Sequence, residues 1–238
     1  MRIGLVIPIY LRGNPINKSY EIVLKNYSKM NVLIHICGSE GEISRKFAEP
    51  FLSDNVKYFE VPQEQFCFSS SGDDFIRKKF NDSLKTLPIN CEWFCLGGAD
   101  DLVDPLFFDR LLELDWKQKI MAGVGMENPL YLLDEQNDFK AYSIKLKYAN
   151  RFRLLAGINC FSRAYLNHIG YNPYALKGCE TGAETFCENN GGKVVGLEGS
   201  IIMFKGNSVL NPLDKCVKVH ENVKISQREL DYIETTLI

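Results

Sequence analysis

The sequence predicts an α/β protein with a mixed, mainly parallel sheet flanked by helices, and three observations support this class. Residues 3–61 alternate between short apolar runs and segments of helical periodicity, in the order strand, helix, strand, helix, strand. The alternation continues to a fourth apolar run at 93–96. The 238 residues are 45% hydrophobic and 24% charged, which suits one domain with a sizeable core.

Elements of the first half are predicted from apolar runs and helix-start signals. The predicted strands are residues 3–9, 32–37, 56–61 and 93–96. Asn14 is predicted to cap the first helix, with Pro15 in its first position, and further helices are predicted at 42–52 and 73–87. Ligands of parallel sheets bind beyond the carboxyl ends of the strands, so we expect the site in the loops after Ile9, Cys37 and Val61.

The second half combines both kinds of element. A helix is predicted after Pro105. The other predicted elements are strands at 120–125, 194–197, 201–204 and 216–219 and helices at 162–168 and 180–189. No internal repeat or linker divides the sequence, so a single domain in two lobes is the expected organisation.

Charge and cysteine content narrow the class of protein. The 28 basic and 30 acidic residues are nearly balanced, which gives no strong nucleic-acid signature. No apolar run reaches the length of a transmembrane segment. The eight cysteines include no C-x-x-C pair, and Cys37, Cys95 and Cys160 lie inside apolar runs. We therefore expect reduced thiols in a cytoplasmic protein.

Two adjacent carboxylates follow the fourth predicted strand. Asp100 and Asp101 come after Gly97 and Gly98, whose lack of side chains leaves room for a ligand. Adjacent carboxylates at a strand end repel each other unless a cation lies nearby, and a divalent ion that also binds substrate phosphates would supply that charge. The alternative is a helix cap before Pro105 or a solvated turn.

We call Asp100 and Asp101 the Asp-Asp corner. The order of motifs before and after it resembles that of GT-A (Rossmann-like) glycosyltransferases, particularly the family-2 type. The resemblance extends over about residues 3–220 as a series of short motifs. In the first half these are Pro8-Ile9-Tyr10, Cys37-Gly38-Ser39, Arg77, Lys78 and Lys79 with Asn81, and Gly98-Ala99-Asp100-Asp101 followed by Pro105. The resemblance implies donor contacts from Pro8, Tyr10, Lys78, Lys79, Asn81, Gly98 and Ala99.

The chain departs from the family pattern at two first-half positions. Gly98 stands where the family's first metal-binding Asp is usual, so the metal would be bound by Asp100 with help from elsewhere. The acid that meets the nucleobase after the second strand is absent at Ile36 and Cys37, and Glu40 is the nearest substitute. The base in such enzymes is usually uracil, so a UDP-sugar is the expected donor.

The second half continues the resemblance. Gly157, Phe161 and Arg163 match Gly-x-x-x-Phe-x-Arg, and the family's Glu-Asp base motif falls at Glu180-Thr181. Glu184 follows one helical turn later, so either Glu180 or Glu184 is the expected catalytic base. An acidic helix start that suits the helix dipole is the alternative explanation for this pair.

Two further residues complete the site that the resemblance implies. His220 matches a histidine that often completes the family's metal site, so Asp100, Asp101 and His220 are expected to bind Mn²⁺ or Mg²⁺. Lys205 begins a Lys-Gly-Asn-Ser segment and is expected either to contact the diphosphate or to lie in a solvated turn.

The resemblance implies a metal-dependent, inverting glycosyltransferase with a nucleotide-sugar half at about 1–104 and an acceptor half at about 105–238. Its acceptor is open among a glycan, a lipid-linked sugar, a protein side chain and a modified nucleobase. One alternative is a nucleotidyltransferase acting on sugar phosphates, although the loop at 11–14 has only one Arg and one Gly. Another is a glycosyltransferase-like binding module without catalysis, which Gly98 and Thr181 at expected acid positions leave open.

Overall fold

The computed structural model describes residues 2–11, 17–61, 72–134, 138–145, 153–155, 157–176, 179–205, 221–223, 225 and 227–237. Its strands are β1 Ile3–Pro8, β2 Leu33–Gly38, β3 Val56–Glu60, β4 Trp93–Gly97, β5 Asp101–Val103, β6 Ile120–Val124, β7 Leu130–Asp134, β8 Lys140–Lys145, β9 Ile158–Ser162, β10 Lys193–Leu197, β11 Ile201–Lys205 and β12 Glu221–Val223. Its helices are α1 Lys18–Ser28, α2 Glu42–Ala48, α3 Gly72–Leu84, α4 Leu106–Glu113, α5 Arg163–Ile169, α6 Cys179–Asn189 and α7 Gln227–Leu237.

A seven-stranded sheet forms the centre of the molecule, in the order β10-β6-β9-β4-β1-β2-β3. β9 runs antiparallel to β4 and β6, and the other neighbours are parallel. The predicted α/β class with a mainly parallel sheet is therefore confirmed. β1, β2 and β4 end at the same edge, because Pro8 pairs with Cys37 and Val6 pairs with Leu96.

A second, five-stranded sheet has the order β12-β8-β7-β11-β5. The chain leaves the first sheet at Gly97 and enters the second at Asp101. Two backbone hydrogen bonds fix this passage, from Gly98 N to Gly157 O at 3.0 Å and from Phe204 N to Asp100 O at 2.8 Å. The Asp-Asp corner is thus the joint between the two sheets.

Side chains alternate across the first sheet into two buried clusters. Leu5, Ile7 and Trp93 face one side, where α1, α2, α4 and the second sheet pack, whereas Val6 and Phe94 face α3, α5 and α6. Both faces are covered, which is why the strands read as continuous apolar runs in the sequence. The helices and the second sheet cover the faces of the first sheet, and a cleft remains open at the carboxyl ends of β1 and β4.

Several element boundaries differ from those predicted. The cap predicted at Asn14 is wrong: α1 begins at Lys18, and the side chain of Asn17 accepts a hydrogen bond from Tyr20 N at 3.1 Å. Asn17 is an equally good capping residue three positions later, and Asn14 and Pro15 lie outside the described residues. The helix predicted at 42–52 gives way after Ala48 to a 3-10 turn that contains a proline. The strand predicted at 216–219 also lies outside the described residues.

The two predicted halves share the first sheet. β1 to β4 come from residues before 104, whereas β6, β9 and β10 come from the second half and extend the same sheet. In the described part of the chain, Cys37, Cys91, Cys95, Cys160 and Cys187 are buried free thiols. None of the described helices is both long enough and apolar enough to span a bilayer.

Candidate active site at the joint between the sheets

A cleft of about 230 Å³ opens at the carboxyl ends of β1 and β4. This is the edge at which a ligand was expected from the sequence. Its lining residues are Pro8, Tyr20, Phe80, Leu96, Gly97, Gly98, Ala99, Asp100, Asp101, Gly157, Ile158 and Asn159. The structure therefore brings together Pro8 and the whole Gly98–Asp101 motif.

The carboxylate of Asp101 lies against Gly98. A Cβ atom built on Gly98 would overlap Asp101 Oδ2 and lie 2.9 Å from Asp101 Cγ. No side chain fits at residue 98 while Asp101 keeps this position. The acid that the family pattern places at residue 98 is absent, and a carboxylate from residue 101 fills the adjacent space.

Tyr27 holds the backbone of Asp101 from the core side. Its hydroxyl donates to Asp101 O at 3.2 Å and accepts from Val103 N at 3.1 Å. The side chain is fully buried in α1, and this burial raises the pKa of Tyr27 well above its usual range. The hydroxyl therefore stays protonated, as both hydrogen bonds require.

Gly157 lines the cleft directly beside Gly98 and Asp101. Its φ of +119° lies in a region that favours glycine, and its carbonyl accepts from Gly98 N. A Cβ on Gly157 would lie 3.1 Å from Ile201 Cγ2 and 3.4 Å from Asp101 Cβ. The motif glycine found in the sequence thus has a packing role beside Asp101.

The residues of this corner fit a divalent ion of the Mg²⁺ or Mn²⁺ type. Asp100 and Asp101 supply carboxylates, and such ions commonly bind one or two carboxylates while water and substrate phosphates complete the shell. Within the described residues there is no group of three or more His, Cys, Asp and Glu side chains that would hold a metal unaided. His220, the third predicted ligand, lies outside the described residues.

Lys79 occupies the space between the ends of β1 and β2. Its Nζ donates to Ile9 O and to Ser39 Oγ, both at 2.8 Å, and the residue is 4% exposed. Burial lowers the pKa of Lys79 to about 8, against the opposing effect of Cys37, Glu40 and Glu60. Lys78, its predicted companion, is exposed.

Two other predicted donor residues are engaged with the protein itself. The Glu40 carboxylate accepts a hydrogen bond from Leu11 N and so holds the chain that follows β1. Asn81 accepts from Tyr174 N at 3.1 Å and lies in α3. Tyr10 is half-buried beyond β1.

The two candidate bases lie on α6 in different circumstances. Glu184 is buried, and its carboxylate accepts from Arg153 N at 3.0 Å and Leu154 N at 3.3 Å. Burial raises the pKa of Glu184, although these two hydrogen bonds oppose the shift. Glu180 lies in the first turn of α6, and its side chain is outside the described parts.

Lys205 ends β11 in register with Asp134, and its side chain is likewise not described.

A larger cleft of about 500 Å³ lies at the other end of the second sheet, beyond β5. Its lining includes Arg110, Tyr131, Glu198 and Tyr232 but none of the residues predicted for the site. It also lies away from the carboxyl edge of β1 and β4. The smaller cleft at the joint, which contains several of the predicted residues, is therefore the candidate active site.

Sequence reasoning did not find three residues that shape this cleft. These residues are Tyr27, Asn159 and Tyr174, none of which belongs to the motifs described above. Asn159 lies in a short apolar run. A polar residue in such a run is unusual, and this is the one sequence signal that could have identified Asn159. Tyr27 and Tyr174 gave no signal, because their roles depend on contacts with distant segments.

No protein-family model matches the sequence, and no curated protein matches it in a sequence comparison. Solved structures do match it in fold. The glycosyltransferase GlyE of Streptococcus pneumoniae TIGR4 has 9% identity and a TM-score of 0.52, over 100% of this chain and 61% of GlyE. 4-Diphosphocytidyl-2C-methyl-D-erythritol synthase of Anaerococcus prevotii DSM 20548 has 12% identity and a TM-score of 0.50, over 99% of this chain and 95% of that enzyme.

A further crystal structure of 4-diphosphocytidyl-2C-methyl-D-erythritol synthase matches over 100% of this chain and 98% of its own, with 13% identity and a TM-score of 0.50. Identities this low establish a shared fold and leave the activity open. Together with the sheet order, they show that the chain has a GT-A-type fold, which it shares with the glycosyltransferase GlyE and with these synthases.

Proposed function

We propose that this protein is a metal-dependent glycosyltransferase that moves a sugar from a nucleoside-diphosphate sugar, with a UDP-sugar as first candidate, to an acceptor hydroxyl. The observation that carries the proposal is the pair Asp100 and Asp101 at the mouth of the cleft where the two sheets join. A ligand there would meet two carboxylates, one of which, Asp101, fills the space beside Gly98 that the sequence indicated as room for the ligand.

The donor is proposed to lie along the carboxyl edge of the first sheet. Its nucleoside would contact the loops beyond β1 and β2, where Pro8, Tyr10 and Glu40 lie and where the Lys79 ammonium supplies positive charge. Its diphosphate would reach Asp100 and Asp101 through the ion. Lys78, Asn81, Ala99 and Lys205 remain predicted donor contacts.

Mn²⁺ or Mg²⁺ bound by Asp100 and Asp101, with His220 as a predicted third ligand, would neutralise the charge that develops on the departing diphosphate. The role of the two carboxylates is to hold the positive charge of the ion at one end of the cleft. Tyr27 and Gly98 fix the position of Asp101, so little reorganisation is needed when substrate binds.

Transfer with inversion requires a base on the side of the sugar opposite the diphosphate. We propose Glu180 for this role. The acceptor oxygen attacks the anomeric carbon while its proton passes to the Glu180 carboxylate. The bond from that carbon to the diphosphate oxygen breaks, and its electron pair leaves with the nucleoside diphosphate. Glu184 instead holds the segment at 153–154 through two backbone hydrogen bonds.

The experiment is a calorimetric titration with a panel of nucleotide sugars, with and without Mn²⁺, followed by product analysis with candidate acceptors. We expect metal-enhanced binding of at least one nucleotide sugar and release of a nucleoside diphosphate. Release of pyrophosphate from a nucleoside triphosphate and a sugar phosphate would instead identify a nucleotidyltransferase. Binding without any transfer or hydrolysis would identify a binding module, and no nucleotide binding would contradict the proposal.

A further inference from the structure

Asn159 is a buried amide in the wall of the proposed donor cleft. It lies on β9, opposite Leu96 of β4, and is 3% exposed. A polar side chain in a buried strand costs free energy unless it is hydrogen-bonded, so its presence needs a reason.

One end of this amide is fixed by the protein. Asn159 Nδ2 donates to the Tyr174 hydroxyl at 3.0 Å. The ring of Tyr174 is held edge-to-face between Phe80 and Phe161, with centroids 5.2 and 5.7 Å away. Asn81 anchors the backbone of Tyr174 in turn. The orientation of the Asn159 amide is therefore set before any ligand binds.

The other end of the amide is directed at the cleft. Asn159 Oδ1 has no hydrogen-bond partner among the described residues, yet it is not sealed from solvent as the buried unpaired atoms of the core are. Asn159 lines the same cleft as Gly98 and Asp100. An oriented acceptor at this place suits a hydroxyl group of a ligand.

We propose that Asn159 binds a hydroxyl of the sugar being transferred and so selects which sugar the enzyme accepts. The inference rests on the proposed function, because it takes the ligand of this cleft to be a nucleotide sugar. β9 pairs with β4, and the Asp-Asp corner follows β4, so Asn159 lies beside the place where the sugar joins the diphosphate. Tyr174 acts as a positioning residue through Asn159.

The test compares sugar nucleotides with the same nucleotide lacking sugar. Wild-type protein with Mn²⁺ is titrated with UDP, UDP-glucose, UDP-galactose, GDP and GDP-mannose. Asn159→Ala and Asn159→Leu, which both remove the acceptor oxygen, are titrated in the same way. We expect UDP or GDP to bind both variants as they bind wild type. The sugar-dependent gain in affinity is the ratio of the affinity for a sugar nucleotide to the affinity for the same nucleotide without sugar. We expect this gain to fall about tenfold, the effect of one lost hydrogen bond in a closed site.

Two matched variants separate sugar binding from packing. Tyr174→Phe removes the hydroxyl that orients the amide, and we expect a smaller loss, of about threefold, in the same sugar-dependent gain. Asn167→Ala removes an amide that bonds the exposed Tyr171 hydroxyl at 3.1 Å, away from the cleft, and should leave every affinity unchanged.

The outcomes distinguish the inference from the proposed function. If UDP and GDP bind the variants normally and the sugar-dependent gain is unaltered, Asn159 does not read the sugar. The same holds if the variants change only the KM of the acceptor. If wild-type protein binds none of the nucleotides, the proposed function fails and this inference fails with it.

Discussion

The carboxylate of Asp101 occupies the space that a side chain at residue 98 would need, with Oδ2 at the position of a Cβ atom on Gly98. The glycine and the acid therefore form a compensating pair. The family pattern has an acid at the first position, whereas this chain combines a glycine there with a carboxylate that turns back from residue 101. This packing makes Asp101 as strong a candidate for a metal-binding carboxylate as Asp100.

Gly98→Ala should lower Mn²⁺-dependent turnover at least tenfold, because the new methyl group displaces the Asp101 carboxylate. Steady-state rates at increasing Mn²⁺ concentration measure this loss. A double-mutant cycle gives the control: in an Asp101→Ala background, Gly98→Ala should cost little more, since its effect passes through that carboxylate. Independent, additive losses would show that Gly98 acts in another way.

Tyr27→Phe should lower the free energy of unfolding by about 1–3 kcal/mol and weaken Mn²⁺ binding. The change removes the hydroxyl that bridges Asp101 O and Val103 N and leaves both backbone groups without that partner. Urea unfolding and metal titration measure the two effects. Tyr165→Phe is the matched control, because that buried hydroxyl faces the Cys187 thiol and bridges no backbone groups in the described part of the chain. Equal effects of the two substitutions would refute a specific role for Tyr27.

Donor affinity should fall as the pH rises through about 8, because Lys79 loses its proton near that pH. A lowered pKa means that the ammonium is present below about 8 and is lost above it, together with its attraction for the negatively charged nucleotide. Titration of UDP between pH 7 and 9 measures the change. Lys79→Met should bind weakly throughout with a flat profile, whereas Lys85→Met, an exposed lysine just after α3, should keep the wild-type profile. A pH-independent wild-type affinity would contradict the assignment.

Glu180→Gln should lower kcat at least a hundredfold with donor affinity nearly unchanged, because a base acts in the transition state. Glu184→Gln should mainly lower stability, by about 1–2 kcal/mol, since an amide replaces a carboxylate that accepts two backbone hydrogen bonds. Single-turnover rates and urea unfolding separate the two effects. The reverse ranking of rates would move the base to Glu184. If neither variant slows transfer, product stereochemistry by NMR would test whether the enzyme inverts.

Stability should fall as the pH drops from about 6.5 to about 4 because of His35. Its ring stacks on Phe59 with centroids 4.3 Å apart and contacts Thr86 Oγ1 at 3.0 Å, and burial lowers the pKa of His35 to about 4. The unfolded chain takes up a proton near pH 6.5 and the folded chain only near 4, so each pH unit between them costs up to about 1.4 kcal/mol. Urea unfolding at several pH values measures this slope, and His35→Phe should reduce it. An equal slope in the variant would assign it to other groups.

The sequence by itself determined the order of elements in the first half and the edge of the sheet where the cleft lies. These follow from local patterns, since buried parallel strands read as apolar runs and their ligands bind at the carboxyl edge. The Asp-Asp corner was found in the same way. Tertiary structure decided the rest of the sheet: β9 enters between β4 and β6 in antiparallel orientation, and no local pattern specifies such a partner.

The site divides in the same way. Residue types at the corner could be predicted, but the packing of Asp101 against Gly98 and its support by Tyr27 could not, because Tyr27 lies 74 residues away in the chain. Neighbouring lysines look alike in sequence, yet Lys79 is buried at the strand ends and Lys78 is exposed. Helix periodicity places both on α3, and only the packing of α3 on the sheet decides which one faces β1 and β2. Contacts between segments distant in the chain are set by the whole core, whereas local periodicity records only which face of each element is buried.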